Sequence, residues 1–134
     1  MASKAPSKTA KQAAGYIYML CEREFLVETM NTMSSNTTSP SKVVVKIGRT
    51  KDMFQRIKGY PKGSMLLCCN HVDSVVSTET EIIRHFMARF IHRKDLGREY
   101  FESINLSAMI AEMTNCICQQ QCAKAKDEMR SILV

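Results

Sequence analysis

The chain has 134 residues, of which 45% are hydrophobic and 24% charged, the balance of a single globular domain. Its purely apolar runs are short, far from the roughly 20 residues that a membrane-spanning helix needs, so no membrane partner is expected. The net charge is +6, and residues 42–62 hold seven Lys/Arg against the single Asp52. Such a stripe fits a polyanionic partner, and it also fits a solvated basic face.

Residues 1–14, rich in Lys, Ser and Ala, read as a flexible basic tail without the apolar core of a signal peptide. On that reading the chain is intracellular and its six cysteines are reduced thiols. Gly15–Cys21 is rich in strand formers and predicts a first strand. Residues 28–41, dominated by Asn, Ser and Thr, predict a long polar loop. Lys42–Gly48 (KVVVKIG) predicts a second strand, paired with the first. Thr50 is the expected cap of a short helix, Lys51–Tyr60, in which Met53, Ile57 and Tyr60 share one face. Pro61 and Gly63 stop it.

Ser64–Val76 predicts a third strand with a turn near Asn70–Asp73. Ser77 or Thr78 then caps a helix over Glu79–Ile91. Gly97 breaks the chain, and Glu99–Glu102 reads as a short extended segment. Leu106, Met109, Ile110, Met113 and Ile117 fall at helical spacing, with Asn105 as the cap of a long last helix. The fold class is α+β: a small three-stranded, mostly antiparallel sheet flanked by helices, with a long C-terminal helix. The organisation is a tail (1–14), a domain (15–104) and a helix packed on it (105–134).

Cys68 and Cys69 read as small core residues. Cys116-x-Cys118-x3-Cys122 lies in the helical pattern, where residues 116 and 118 point about 200° apart. That is poor chelate geometry, so no zinc is expected.

Three pieces of the sequence carry a resemblance: Tyr16-Ile17-Tyr18, then Lys46-Ile47-Gly48, then Arg56 in the following helix. Together with Glu81 in the next helix they resemble the GIY-YIG nuclease superfamily. Lys46–Thr50 (KIGRT), Glu81-x-x-x-His85 and Gly97-Arg-Glu99-Tyr100-Phe101 are closer to one branch. That branch is a domain named after a phage open reading frame, shared with a fungal meiotically up-regulated protein and found in phages, large DNA viruses and some cellular genomes. The resemblance spans about residues 15–102. Lys46 departs from it, standing where the superfamily usually offers a second tyrosine.

The resemblance implies DNA as partner and metal-dependent hydrolysis of a phosphodiester. Tyr16 and Tyr18 alternate onto one face of the strand. A phenol with a pKa near 10 is a poor base at neutral pH unless a neighbour lowers it. Lys46 would do so if it lay across the strand from Tyr18. Arg56 is suited to bidentate phosphate contact. Arg49, Lys51, Lys58, Lys62 and Arg84 are further candidates for the nucleic-acid backbone. Glu81 and His85 lie one helical turn apart. Glu81 is the candidate seat for one Mg²⁺ (or Mn²⁺), and His85 the candidate to orient a water or touch the phosphate.

Simpler readings stand beside these. Thr78-x-x-Glu81 is also a capping box, and Glu81/His85 also fits a surface pair. Glu99 either anchors its segment or brings a second carboxylate near the site. The functional readings are therefore a Mg²⁺-dependent DNA endonuclease, a non-catalytic DNA-binding module of the same fold, and a protein-interaction domain that works through its C-terminal helix.

Overall fold

The aromatic and β-branched segments at 15–21 and 43–50 pair as the centre of an antiparallel sheet. In the computed structural model, residues 13–26 and 42–133 are described. The basic tail over 1–12 and the polar loop expected at 28–41 lie outside the described residues. Strand β1 (Gly15–Cys21) runs beside β2 (Val43–Thr50), with Tyr18 opposite Gly48 and Leu20 opposite Lys46. On its other edge β1 meets β3 (Met65–Val72), with a register shift between Met19 and Leu20. Two short strands, β4 (Ile91–His92) and β5 (Tyr100–Ser103), complete the sheet beside β2.

The sheet therefore has five strands, in the order β3-β1-β2-β5-β4, and not the three expected. Every pairing is antiparallel. The added strands span two and four residues, too short to show the two-residue alternation by which a strand is read. The extended segment expected near 99–102 is β5, shifted by one residue.

The helices correct three boundaries. Helix α1 is Met53–Lys58, shorter than expected, and its cap is Asp52. Asp52 Oδ1 accepts from Gln55 N at 3.2 Å, while Thr50 Oγ1 binds Asp52 N and tightens the approach. None of its residues is buried, and Phe54 is 81% exposed, so the expected apolar face is only partly covered. The chain leaves through Gly63, whose φ of 95° suits glycine.

Helix α2 is Val75–Arg89 and follows Ser74, so β3 ends at Val72 and the helix starts four residues ahead of Glu79. Thr78 sits inside it, buried, with its hydroxyl donating to Ser74 O at 2.7 Å. The capping box of Thr78 and Glu81 is not formed. Helix α3 is Leu106–Leu133, and Asn105 caps it as expected, its Oδ1 accepting from Ala108 N at 3.0 Å.

The core lies between one face of the sheet and the two longer helices. Ile17, Met19, Val45, Ile47 and Phe101 pack against Ile82, Ile83 and Phe86 of α2 and Met109, Met113, Cys116 and Ile117 of α3. Strand alternation sends Tyr18, Leu20 and Lys46 to the opposite face. Among the described residues no helix is long and apolar enough to cross a membrane.

Candidate active site

Tyr18 occupies a slot made by its cross-strand neighbour. A Cβ on Gly48 would overlap the Tyr18 ring and hydroxyl, so only glycine lets the ring lie against β2. The side chain is wholly buried, yet its hydroxyl is well bonded. It accepts from Arg56 Nε at 3.0 Å and shares a 2.6 Å hydrogen bond with Tyr60 Oη. Burial pushes the Tyr18 hydroxyl up to about 12, with the Arg56 hydrogen bond pulling the other way. Tyr18 is therefore a neutral phenol at physiological pH, and its geometry is that of a group that holds Arg56. The same bond favours the charged form of Arg56.

Lys46 does not face Tyr18. It stands opposite Leu20, with its ammonium 5.2 Å from the centre of the Tyr60 ring and 5.7 Å from that of Tyr100. The expected lowering of the Tyr18 pKa by Lys46 is thus replaced by a rise from burial. Lys46 belongs to an aromatic cluster, in which Tyr100 Oη also donates to Glu22 Oε2 at 2.6 Å.

Beside Arg56 opens a cavity of about 520 Å³. Its lining comes from the end of β2 (Arg49), from α1 (Arg56), from α2 (Val76, Glu79, Thr80, Ile83) and from the segment before β5 (Arg98, Glu99). Glu79 is the carboxylate that α2 presents here. It is 8% exposed, and its Oε1 accepts from Arg49 Nη1 at 2.9 Å. Burial raises the Glu79 pKa and Arg49 opposes the rise, with the nearby Glu99 adding to it. Glu99 lines the same cavity, which places a second carboxylate there.

The structure separates the other expected residues from this place. Glu81, two positions after Glu79, points about 200° away around the helix. It pairs with Arg84 at 2.7 Å, and that bond lowers its pKa. His85 turns to α3, with Nδ1 3.0 Å from Glu112 Oε2. Neither Glu81, His85 nor Arg84 lines the cavity. Lys51 is exposed before α1, and Lys58 and Lys62 line a separate cavity with Leu20 and Tyr60. His71 is exposed with its ring edge-on to Tyr16, and His92 stacks on Phe101. Sequence reasoning passed over Glu79 and Arg98. A signal for Glu79 was present, since it shares a helical face with Ile82, Ile83 and Phe86.

Glu79 and Glu99 bring carboxylate oxygens to the cavity lining, the donor type that a hard divalent cation takes. The three arginines around it match the charge of a phosphodiester. Among families of known domains, the model of the T5orf172 domain matches residues 15–120. No curated protein matches the chain, and no solved structure does.

Proposed function

The chain belongs to the T5orf172 domain family, and from that premise we propose that it grips the DNA backbone at the Arg49–Arg56–Arg98 cavity and hydrolyses a phosphodiester there. The observation that carries this reading is the convergence of three arginines and the desolvated Glu79 on one cavity, beside a Tyr18 that fixes Arg56. The resemblance of Tyr16–Tyr18, Lys46–Gly48 and Arg56 to the GIY-YIG nucleases agrees with it.

In this mechanism Arg56 and Arg98 hold the non-bridging phosphate oxygens, and Tyr18 sets the direction of the Arg56 guanidinium. Arg49 orients the Glu79 carboxylate and favours its charged form against the burial that opposes it. Glu79, with Glu99 beside it, would hold a divalent cation, and such an ion would supply Lewis-acid stabilisation of the charge that develops on the phosphate. Tyr18 is a positioning residue here and not a base, because it has no exposed atom.

That burial also favours a second reading, the same cavity used to bind DNA without cutting it. Incubation of supercoiled plasmid with Mg²⁺ or Mn²⁺ separates the two. The catalytic reading expects metal-dependent nicking that Glu79→Gln and Arg56→Ala each reduce at least 100-fold, on the order of one transition-state contact. Glu24→Gln, an exposed carboxylate outside the cavity lining, leaves it unchanged. Salt-sensitive retention of the plasmid without nicking selects the binding reading, and neither nicking nor retention sinks both.

A further inference from the structure

On the side of α2 turned away from the cavity, His85 meets one turn of α3. Its Nδ1 lies 3.0 Å from Glu112 Oε2, and Cys116 Sγ lies 3.9 Å from the same oxygen. One ligand atom from each of the three residues falls within 4.8 Å of the others. Glu112 and Cys116 are four residues apart on one helical face, so both look across at His85. Around a tetrahedral ion with bonds of about 2.0–2.3 Å, ligand atoms stand roughly 3.3–3.8 Å apart. The three donors are already near that spacing, and small side-chain adjustments reach it.

The surroundings fit as well. Cys116 is 3% exposed and the Glu112 side chain 11%, so these two donors are withdrawn from water, while His85, 27% exposed, borders solvent. Arg89 Nε engages Glu112 Oε1 at 3.2 Å, which leaves Oε2 directed at the imidazole and the thiol. On the far side of the imidazole, Glu81 Oε1 lies 3.8 Å from Nε2. That is the place from which a carboxylate fixes the tautomer of a ligating histidine. An ordinary ion-pair network accounts for Arg84, Glu81, Arg89 and Glu112. Beside that network the buried Cys116 thiol donates to Glu112 Oε2, a contact that a divalent cation would take over as the thiol gives up its proton.

We propose that His85, Glu112 and Cys116 form a binding site for a zinc-type divalent cation, which pins α3 to α2. The sulfur, nitrogen and single carboxylate favour Zn²⁺ over Mg²⁺. The site is distinct in place and in donor chemistry from the Glu79 cavity. It also differs from the three-cysteine set on α3, of which Cys118 and Cys122 are exposed.

The test is a titration of the reduced, chelator-stripped full chain with Co²⁺ as optical probe, followed by displacement with Zn²⁺. The expected result is one equivalent bound with a thiolate-to-cobalt charge-transfer band, bleached by Zn²⁺. Cys116→Ser abolishes the band, His85→Gln weakens binding at least about tenfold, and the double variant Cys118→Ser/Cys122→Ser keeps both. Circular dichroism checks each fold. Should Cys116→Ser not fold, His85→Gln, at a partly exposed position, decides. A parent chain without a stoichiometric band, a band that survives Cys116→Ser, or full affinity in His85→Gln overturns the proposal. None of these readouts involves DNA, so failure here leaves the cavity's function untouched.

Discussion

A phenol with no exposed atom, set against a glycine and bonded to a guanidinium, has its chemistry decided by burial more than by the nearest cation. Lys46 is close to Tyr18 in sequence pattern, but strand register puts it opposite Leu20 and among aromatic rings. The consequence is measurable at alkaline pH. Tyr18 ionises near 10 in the unfolded chain and at about 12 in the folded one. Between those values the folded state holds the proton that the unfolded state has lost. Stability from this group is thus complete below about pH 10 and is lost as pH rises through about 12, by roughly 2–3 kcal/mol. Tyr18→Phe removes the acceptor for Arg56 and the bond to Tyr60, at a cost of about 1–2 kcal/mol at neutral pH. It also flattens the alkaline decline. Urea unfolding of both chains between neutral pH and about pH 11 checks this. An equally steep decline in the variant would assign the loss to other groups, such as the buried Cys21 thiol, which burial pushes up to about 11.

At the level of elements, α3 is held by one stripe. Met109 and Met113 are fully buried, and Cys116 and Ile117 nearly so, while Cys118 faces solvent. Met113 also touches β3, with Cys68 Sγ 3.5 Å from its sulfur. Met113→Ala should therefore cost about 2–5 kcal/mol by cavity formation. Cys118→Ala should stay within about 0.5 kcal/mol. Comparison of their denaturation midpoints with the parent tests the docking, and equal midpoints would refute it. This stripe was legible in the sequence because a 3.6-residue period over about three turns leaves little choice. The start of α2 was not. Asp73, Ser74, Ser77 and Thr78 are all competent caps, and local chemistry does not rank them. Tertiary structure does, because Val75 N donates to Ala13 O at 2.9 Å at the end where β1 and β3 pair. The same ambiguity hid the cavity's carboxylate. Glu79 and Glu81 differ by two positions, and only the rotation of α2, fixed by Ile82 and Phe86 in the core, decides which one meets Arg49. Tyr18, Arg49 and Arg56 stood out in the sequence only through the motifs that carry the family resemblance; in the fold Arg49 and Arg56 line the cavity and Tyr18 bonds Arg56.

Across the whole molecule, the basic stripe of residues 42–62 does not act as one patch. Arg49 and Arg56 turn into the cavity, where Arg98 joins them from a segment distant in sequence. Lys58 and Lys62 line the neighbouring cavity of about 500 Å³ that also contains Tyr60. Glu79 and Glu99 sit among the arginines, so the cavity holds opposed charges while the lysine side does not. A DNA backbone that enters the cavity releases counterions in proportion to the phosphates its arginines neutralise, and each contact adds about 0.9 to the slope of log affinity against log salt. Arg56→Ala and Arg98→Ala should then each lower that slope by about one, with similar losses for duplexes of different sequence. Lys94→Ala, exposed and outside both linings, should leave it unchanged. Fluorescence anisotropy with a labelled duplex over a salt series reads all three. If the slope falls only for Lys58→Ala and Lys62→Ala, the backbone runs along the lysine side and the arginine cavity is not where the chain holds DNA.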